Sequence, residues 1–573
     1  MKKAILFLFI FFVHGFLFAQ CDGDCLPQGI NILYQWQIDN FFLDYPGCTH
    51  IGGDVTISGD DISSLQGLSQ ISSIDGDLFI HSTQILTSIV GLENLTTLGE
   101  DFTFYSNEGL VSISACNNLM SIGGSFRVSQ NNSLQQIQGF GNLETIGNNV
   151  WITMNEELNS LMGFDKLYAV GGEFSIMIND SLSTVNGFSE LVNIDDTFII
   201  EENFALSSLS GFNNLTAVGG DFFINNNSTF STITGFGQLT SIEGSFRMDN
   251  NPGLVLDTAF CHISHIGIDV MIEGNDSLRQ LPMLLEPASV LTLLLIDGNA
   301  SLTNVSGLAG LTSVQGSVFI RHNNELLTLE GLQNVTTIAG WFELMDNDKL
   351  SNLDALSSLT SVSGDVNISY NPLLISTEGL SNLSSVGGAL SLGGLNSLTD
   401  FYGLRNLKSI GEYFFICGNE LLTSLAGLDN IDESSFTYLQ INENPSLSSC
   451  AIESICGYVA SYKSCHIQDN APGCNSIDEV QEACESLQVE ELNQNEAFSF
   501  YPNPVSEQLI IETIHAPLPN TTLTIFNCNG QKLLQKILEE TVTNMDVSML
   551  KNGIYFIRIT DSNRVRMGKF LKQ

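Results

Sequence analysis

The sequence predicts an all-β-dominated fold, a right-handed parallel β-solenoid of about 16 coils with stapled caps and a small antiparallel β-sandwich behind it. Three observations carry this. A Gly-Leu or Gly-Phe pair returns every 24 residues from Gly67 to Gly427 without a slip in phase. Ala115-Cys116, Ala259-Phe260 and Ala355-Leu356 fill slots where the glycine is lost. Between the pairs, short stretches such as Asp101-Phe102-Thr103-Phe104-Tyr105 and Ser125-Phe126-Arg127-Val128 alternate apolar and polar, the period of a half-buried strand.

The elements follow in order. Met1-Lys2-Lys3 and the apolar run to Ala19 read as a signal peptide over 1–19, cleaved to leave Gln20. Gln20 before Cys21 argues against lipidation of that cysteine. No later stretch has 18 or more uninterrupted apolar residues, so no membrane span is expected. Residues 20–66 form the N-terminal cap and first coil, 67–448 the solenoid, and 449–485 a Cys-rich, partly helical C-terminal cap. The cysteines gather at these edges: Cys21, Cys25 and Cys48 before the repeat, and Cys450, Cys456, Cys465, Cys474 and Cys484 after it. An exported chain keeps disulfides, and terminal coils with an open apolar end need staples. The spacing leaves the pairing open. Cys116, at a core position, is expected to be a free buried thiol.

Each coil reads Gly-[Leu/Phe]-x-x-Leu-x-x-[Ile/Val]-x-Gly-x-[Phe/Val]-x-Ile-x-x-Asn-x-x-Leu. The Asn column comprises Asn107, Asn131, Asn155, Asn179, Asn203, Asn227, Asn251, Asn275, Asn299, Asn323, Asn347, Asn371 and Asn419. An Asn after a strand turns the chain by bonding nearby backbone, and stacked copies bond one another as a structural ladder. Gly76, Gly124, Gly172, Gly220 and Gly244 are expected to supply a positive φ before the strand. This pattern closely resembles the receptor L-domain, a leucine-rich-repeat-like β-solenoid, over about residues 50–448. It departs in running without interruption for twice or more the usual number of coils and in lacking Cys-rich modules. The resemblance implies the fold and a tendency to bind ligands.

After Cys484 the composition changes. Residues 486–497 are a polar, acidic linker. Phe498-Ser499-Phe500-Tyr501-Pro502-Asn503-Pro504 and the turns Asn529-Gly530 and Asn552-Gly553 then read as a small antiparallel sandwich over 498–573. Tyr501 to Pro504, Asn529 to Lys532, Leu550 to Tyr555 and Lys569 to Lys572 resemble the C-terminal sorting domain of type IX secretion cargo. That resemblance implies the type IX secretion machinery as a partner, export across the outer membrane, and a secreted or cell-surface location.

Charge narrows the partners. The formal charge is −44. Residues 498–573 hold eight Lys or Arg against six Asp or Glu, and Lys2 and Lys3 add two positives, so residues 20–497 carry −48. Such a surface repels nucleic acid. Catalytic constellations are missing from the sequence: no Gly-x-Ser-x-Gly elbow, phosphate loop or His-Glu-x-x-His helix occurs. Cys261-His262-Ile263-Ser264-His265 lacks a fourth ligand for structural zinc. No metal or other cofactor is expected, and the chain reads as a non-enzyme.

The informative column lies between the two inward residues of each strand. It runs Phe79, Thr103, Arg127, Trp151, Ser175, Ile199, Phe223, Arg247, Met271, Leu295, Phe319, Glu343, Asn367, Ser391 and Phe415, with Tyr105, Arg321, Trp341 and Tyr413 in flanking outward positions. A solvated sheet face should be mostly polar, and large apolar side chains there mark a contact surface. Phe79, Arg127, Trp151, Phe223, Arg247, Phe319, Arg321, Trp341 and Phe415 are the candidate ligand-binding residues. Trp151 and its kind are expected to project without a core partner. The reading is a secreted or cell-surface adhesion or binding protein for an extracellular protein or glycan. The alternative is a structural spacer or self-assembling surface-layer component.

Overall fold

The computed structural model describes residues 24–256, 259–283, 291–461, 463–487, 498–513, 517, 521–527, 530–560 and 565–573. The expected signal peptide, Cys21, Pro287, Asn529 and most of the 486–497 linker lie outside the described residues. The chain divides into two compact units, Met1–Gln481 and Glu482–Gln573.

The first unit is a parallel β-solenoid of about 18 turns. Its long sheet extends beyond the marked coils through Ile30–Ile32 and Val55–Ile57 before the first marker pair and Cys465–Gln468 after the last. One long sheet carries a strand from each coil. Phe102–Tyr105, Phe126–Ser129 and Val150–Thr153 pair in parallel with Phe102 beside Phe126 beside Val150, a register step of one repeat. A second sheet of two-residue strands runs from Asp24–Cys25 to His265–Ile266, and a third from Ser112–Ile113 to Thr232–Ile233. The strand Ser313–Arg321 passes through both the first and second columns and joins them. Single 3-10 turns such as Gln66–Leu68, Ser306–Leu308 and Glu378–Leu380 stand at the marker pair.

The alternation sorts side chains by face. Phe102 and Phe104 are fully buried while Thr103 between them is half-buried. The second marker residue points inward, and Phe140, Phe164, Phe188, Phe212, Phe236 and Phe260 stack face to face with ring centroids 4.9–5.5 Å apart. A second file, Phe174, Phe198, Phe222 and Phe246, meets them edge-on. Such offset and edge contacts add to the area each ring removes from water.

The Asn column is fully buried. From Asn107 to Asn347 each backbone N–H donates to the side-chain oxygen of the Asn one coil on, at 3.0–3.3 Å. Each Nδ2 also donates to a strand carbonyl 27 residues back, as Asn227 does to Ile200 at 3.0 Å. The ladder begins at Thr83, whose hydroxyl donates to Asn107 at 2.8 Å. It breaks once, at Leu395, whose N–H still donates to Asn419. It then continues through Asn444 and Asn470, which a strict period of 24 misses because the spacing there widens to 25 and 26.

One expectation needs correction. Gly76, Gly124, Gly172, Gly220 and Gly244 do not adopt a positive φ. A Cβ on Gly124 would lie 2.7 Å from the backbone of Glu100 in the preceding coil, so stacking distance, not turn geometry, demands glycine. The left-handed residue instead sits just before each Asn, as at Ser106, Gln130, Ile178 and Asn226. Among the cap cysteines, Cys25 pairs with Cys48 and Cys450 with Cys474, each with Cα atoms 5.6 Å apart, but Cys465 is free. Cys116 is free and buried, and desolvation raises its thiol pKa far above the ordinary value.

The second unit holds two antiparallel sheets. Phe498–Tyr501, Gln508–Thr513 and Val542–Asp546 form one; Lys532–Ile537, Thr522–Asn527, Gly553–Thr560 and Val565–Lys572 form the other. Leu509, Ile511, Leu523, Ile525, Ile557 and Ile559 make their shared core.

Replacing Asn227 by Leu removes the acceptor of Asn203 N–H and the donor to the carbonyls of Ile200 and Asn225. Each buried group left unpaired costs about 1–3 kcal/mol, so the variant should lose at least about 3 kcal/mol in urea unfolding. A loss no larger than that of an exposed substitution would show that the ladder is dispensable.

Candidate binding face

The outward column faces solvent along the long sheet. Phe79, Arg127, Trp151, Phe223, Arg247, Phe319 and Phe415 each stand between two buried strand residues and are half-buried themselves. Ser175 and Leu295 are the buried exceptions. Flanking them, Trp341 is 54% exposed, Tyr413 46% and Tyr105 41%. The sheet therefore delivers rings to its outer surface at positions that the inward packing does not use.

Near the N-terminal end these side chains enclose a cleft of about 530 Å³, within the range of small-ligand sites. Phe79, Tyr105, Arg127, Trp151, Glu173 and Ser175 line it. Trp151 is held by its neighbours on the outer face. The Arg127 guanidinium lies 4.4 Å from its ring centroid, and its Nε1–H donates to Glu173 Oε1 at 3.0 Å. The short Ser175 in the next coil gives the ring room to lean, which a one-dimensional pattern does not reveal. Ser175 Oγ and Arg127 Nε are buried without a hydrogen-bond partner. Groups left so cost about 1–3 kcal/mol each, a penalty that stable cores avoid and binding sites retain.

A second, smaller cleft of about 250 Å³ lies further along the same face between Trp341, Glu343, Asn367, Ser391 and Phe415. Short side chains at Asn367 and Ser391 form its floor. Phe415 packs at 6.0 Å from both Tyr413 and Tyr438. Phe223 lies in register between Ile199 and Arg247 and belongs to neither cleft.

The face is electrically balanced at its arginines. Arg127 pairs with Asp101 at 3.2 Å, Arg321 with Asp297 at 2.8 Å and Glu343 at 3.2 Å, and Arg247 with Asp249. Beside Arg247 the strand ends stack Glu201, Asn225, Asp249, Glu273 and Asp297 in successive coils. Burial pushes the carboxyls of Asp249, Glu273 and Glu201 above their ordinary range, and neighbouring carboxylates add to the shift at Glu273 and Glu201. Among the described residues no cluster of three or more His, Cys, Asp or Glu is arranged to hold a metal ion.

Residues 47–125 match the family described as Receptor L domain, and residues 499–573 match the Secretion system C-terminal sorting domain. The chain is also 30% identical over 73 residues to a funoran endo-beta-hydrolase of Wenyingzhuangia aestuarii. That stretch covers 13% of this chain and 10% of the hydrolase, so the chain spans about a tenth of that relative. The sorting domain marks the protein for type IX secretion to the cell surface or extracellular space. No helix among the described residues is long and apolar enough to cross a membrane.

Two outcomes follow from this surface and its tail. A carboxyl raised in the folded state holds its proton more tightly there than in the unfolded chain. Stability is therefore lowest with Asp249, Glu273 and Glu201 ionised, and it rises as pH falls through their raised values toward about 4, the ordinary carboxylate value. Thermal melts taken from about pH 7 down to about pH 5 should show an increasing Tm. Asp249→Asn, which keeps an acceptor for Arg247, should flatten that rise, and an unchanged slope would remove these carboxyls from the account. Separately, deleting residues 498–573 should leave the solenoid folded but retained in the periplasm. Surface or medium localisation of the truncated chain in its own host, read by fractionation, would overturn the address.

Proposed function

We propose that this protein is a non-enzymatic, exported binding or adhesion protein that presents the outer face of its long sheet to an extracellular protein or glycan. The observation that carries the reading is the aromatic cleft around Trp151. Rings, an arginine and an unpartnered buried hydroxyl converge there on a surface the fold does not need. The receptor L-domain match over 47–125 supports it, because that cleft includes coils of the matched stretch. The hydrolase likeness covers too little of either chain to carry an activity across. The carboxylates at the cleft are engaged, Glu173 by the Trp151 indole and Asp101 by Arg127, which suits holding a ligand rather than cleaving one.

Tyr105 and Trp341 are the cleanest probes, since both rings are exposed. Tyr105→Ala and Trp341→Ala should leave the melting temperature nearly unchanged. Each should weaken retention on an array of extracellular proteins and glycans at least about tenfold, equivalent to about 1.4 kcal/mol. Trp151→Ser with Phe223→Ser should also abolish retention, at some cost in stability because Trp151 is partnered. Retention untouched by all of these, together with self-assembly of the chain, would instead favour a spacer.

A further inference from the structure

The binding reading leaves the chemistry of the ligand open, and the two clefts constrain it. Both set ring faces beside short polar side chains. Phe79, Tyr105 and Trp151 meet Ser129, Thr153 and Ser175 in the first, and Trp341 and Phe415 meet Asn367 and Ser391 in the second. A sugar ring offers this pair of surfaces, an apolar C–H face and a rim of hydroxyls that both donate and accept. The half-buried hydroxyls of Ser129 and Thr153 on the same face are suited to such a rim.

Charge excludes an acidic polymer. Arg127, Arg247 and Arg321 are each already paired with a carboxylate. The second cleft is lined by Glu343 and Asp365 with no cation, and residues 20–497 carry −48. Backbone pairing argues against an extended peptide. The strands that line both clefts are bonded to a neighbour on each side, so neither cleft offers a free edge for strand addition.

Spacing indicates a polymer. The clefts are centred ten repeats apart on one sheet, which at 4.7–4.9 Å per parallel strand is roughly 48 Å. A ligand gripped at both gains effective concentration at the second contact.

We propose that the ligand of this face is a neutral polysaccharide held along one chain by the Tyr105–Trp151 cleft and the Trp341–Phe415 cleft. This rests on the binding function proposed above. It is tested by affinity electrophoresis of the full chain in gels containing neutral glucans, mannan, xylan and agarose, with alginate and carrageenan as acidic counterparts. At least one neutral polymer should retard the chain, and about 0.5 M salt, which screens surface charge, should not release it. Trp151→Ala and Trp341→Ala should each weaken that retardation at least tenfold with unchanged circular dichroism. A tetrasaccharide of the same sugar should bind at least tenfold more weakly than the polymer. Tyr105→Ala, at an exposed ring, serves if Trp151→Ala fails to fold. Retardation by alginate or carrageenan alone, or by no neutral polymer, would overturn the proposal. If the chain then still captured a protein through Tyr105 and Trp341, the binding reading would stand and only the glycan would fall.

Discussion

The buried asparagine ladder is the constraint on which the rest depends. A solenoid coil must turn out of its strand without leaving backbone groups unpaired, and it must do so at the same height in every coil. Asn meets both demands because its side chain accepts from the backbone N–H of the ladder residue one coil back and donates to a strand carbonyl behind it. The conformation costs something. The residue before each Asn is left-handed, and most of these are not glycine; even β-branched Ile178 has φ 55. A strain of about 1–2 kcal/mol at such a residue is offset by the several buried hydrogen bonds that each ladder step completes. Only then do the inward Phe and Leu columns stack in register.

Much of this was legible in the sequence because a period of 24 is a statement about geometry. It located the strands, the inward and outward positions and thirteen ladder residues. What it missed has physical reasons. Asn444 and Asn470 fall where the coils lengthen, so the period passes over them. The glycines before the strands answer to the distance between coils, which no single repeat displays. The free state of Cys465 depends on which thiols the cap brings within reach.

The candidate site was legible only as a direction. Alternation showed that Phe79, Arg127, Trp151 and Phe415 point outward, but not that Trp151 leans over Ser175 beneath Arg127, nor that the three arginines are neutralised. Those facts depend on side chains in neighbouring coils, about 70 residues of chain folded side by side. They change the functional argument. The three arginines carry no free positive charge, and what the two clefts offer a ligand is rings, hydroxyls and amides. Because the fold draws its stability from the inward columns and the ladder, the outward column is free to vary, and its two clefts are where it has been shaped.

Hydroxyl-radical footprinting of the full chain, alone and with the neutral polysaccharides, tests the central claim most directly. The protein has three tryptophans, and two of them, Trp151 and Trp341, lie on the face while Trp36 sits in the N-terminal cap. Ligand should protect Tyr105, Trp151, Trp341 and Tyr413 from oxidation and leave the exposed Trp36 and Tyr168 as reactive as before. Protection of Trp36 and Tyr168 with the face still oxidised would contradict it.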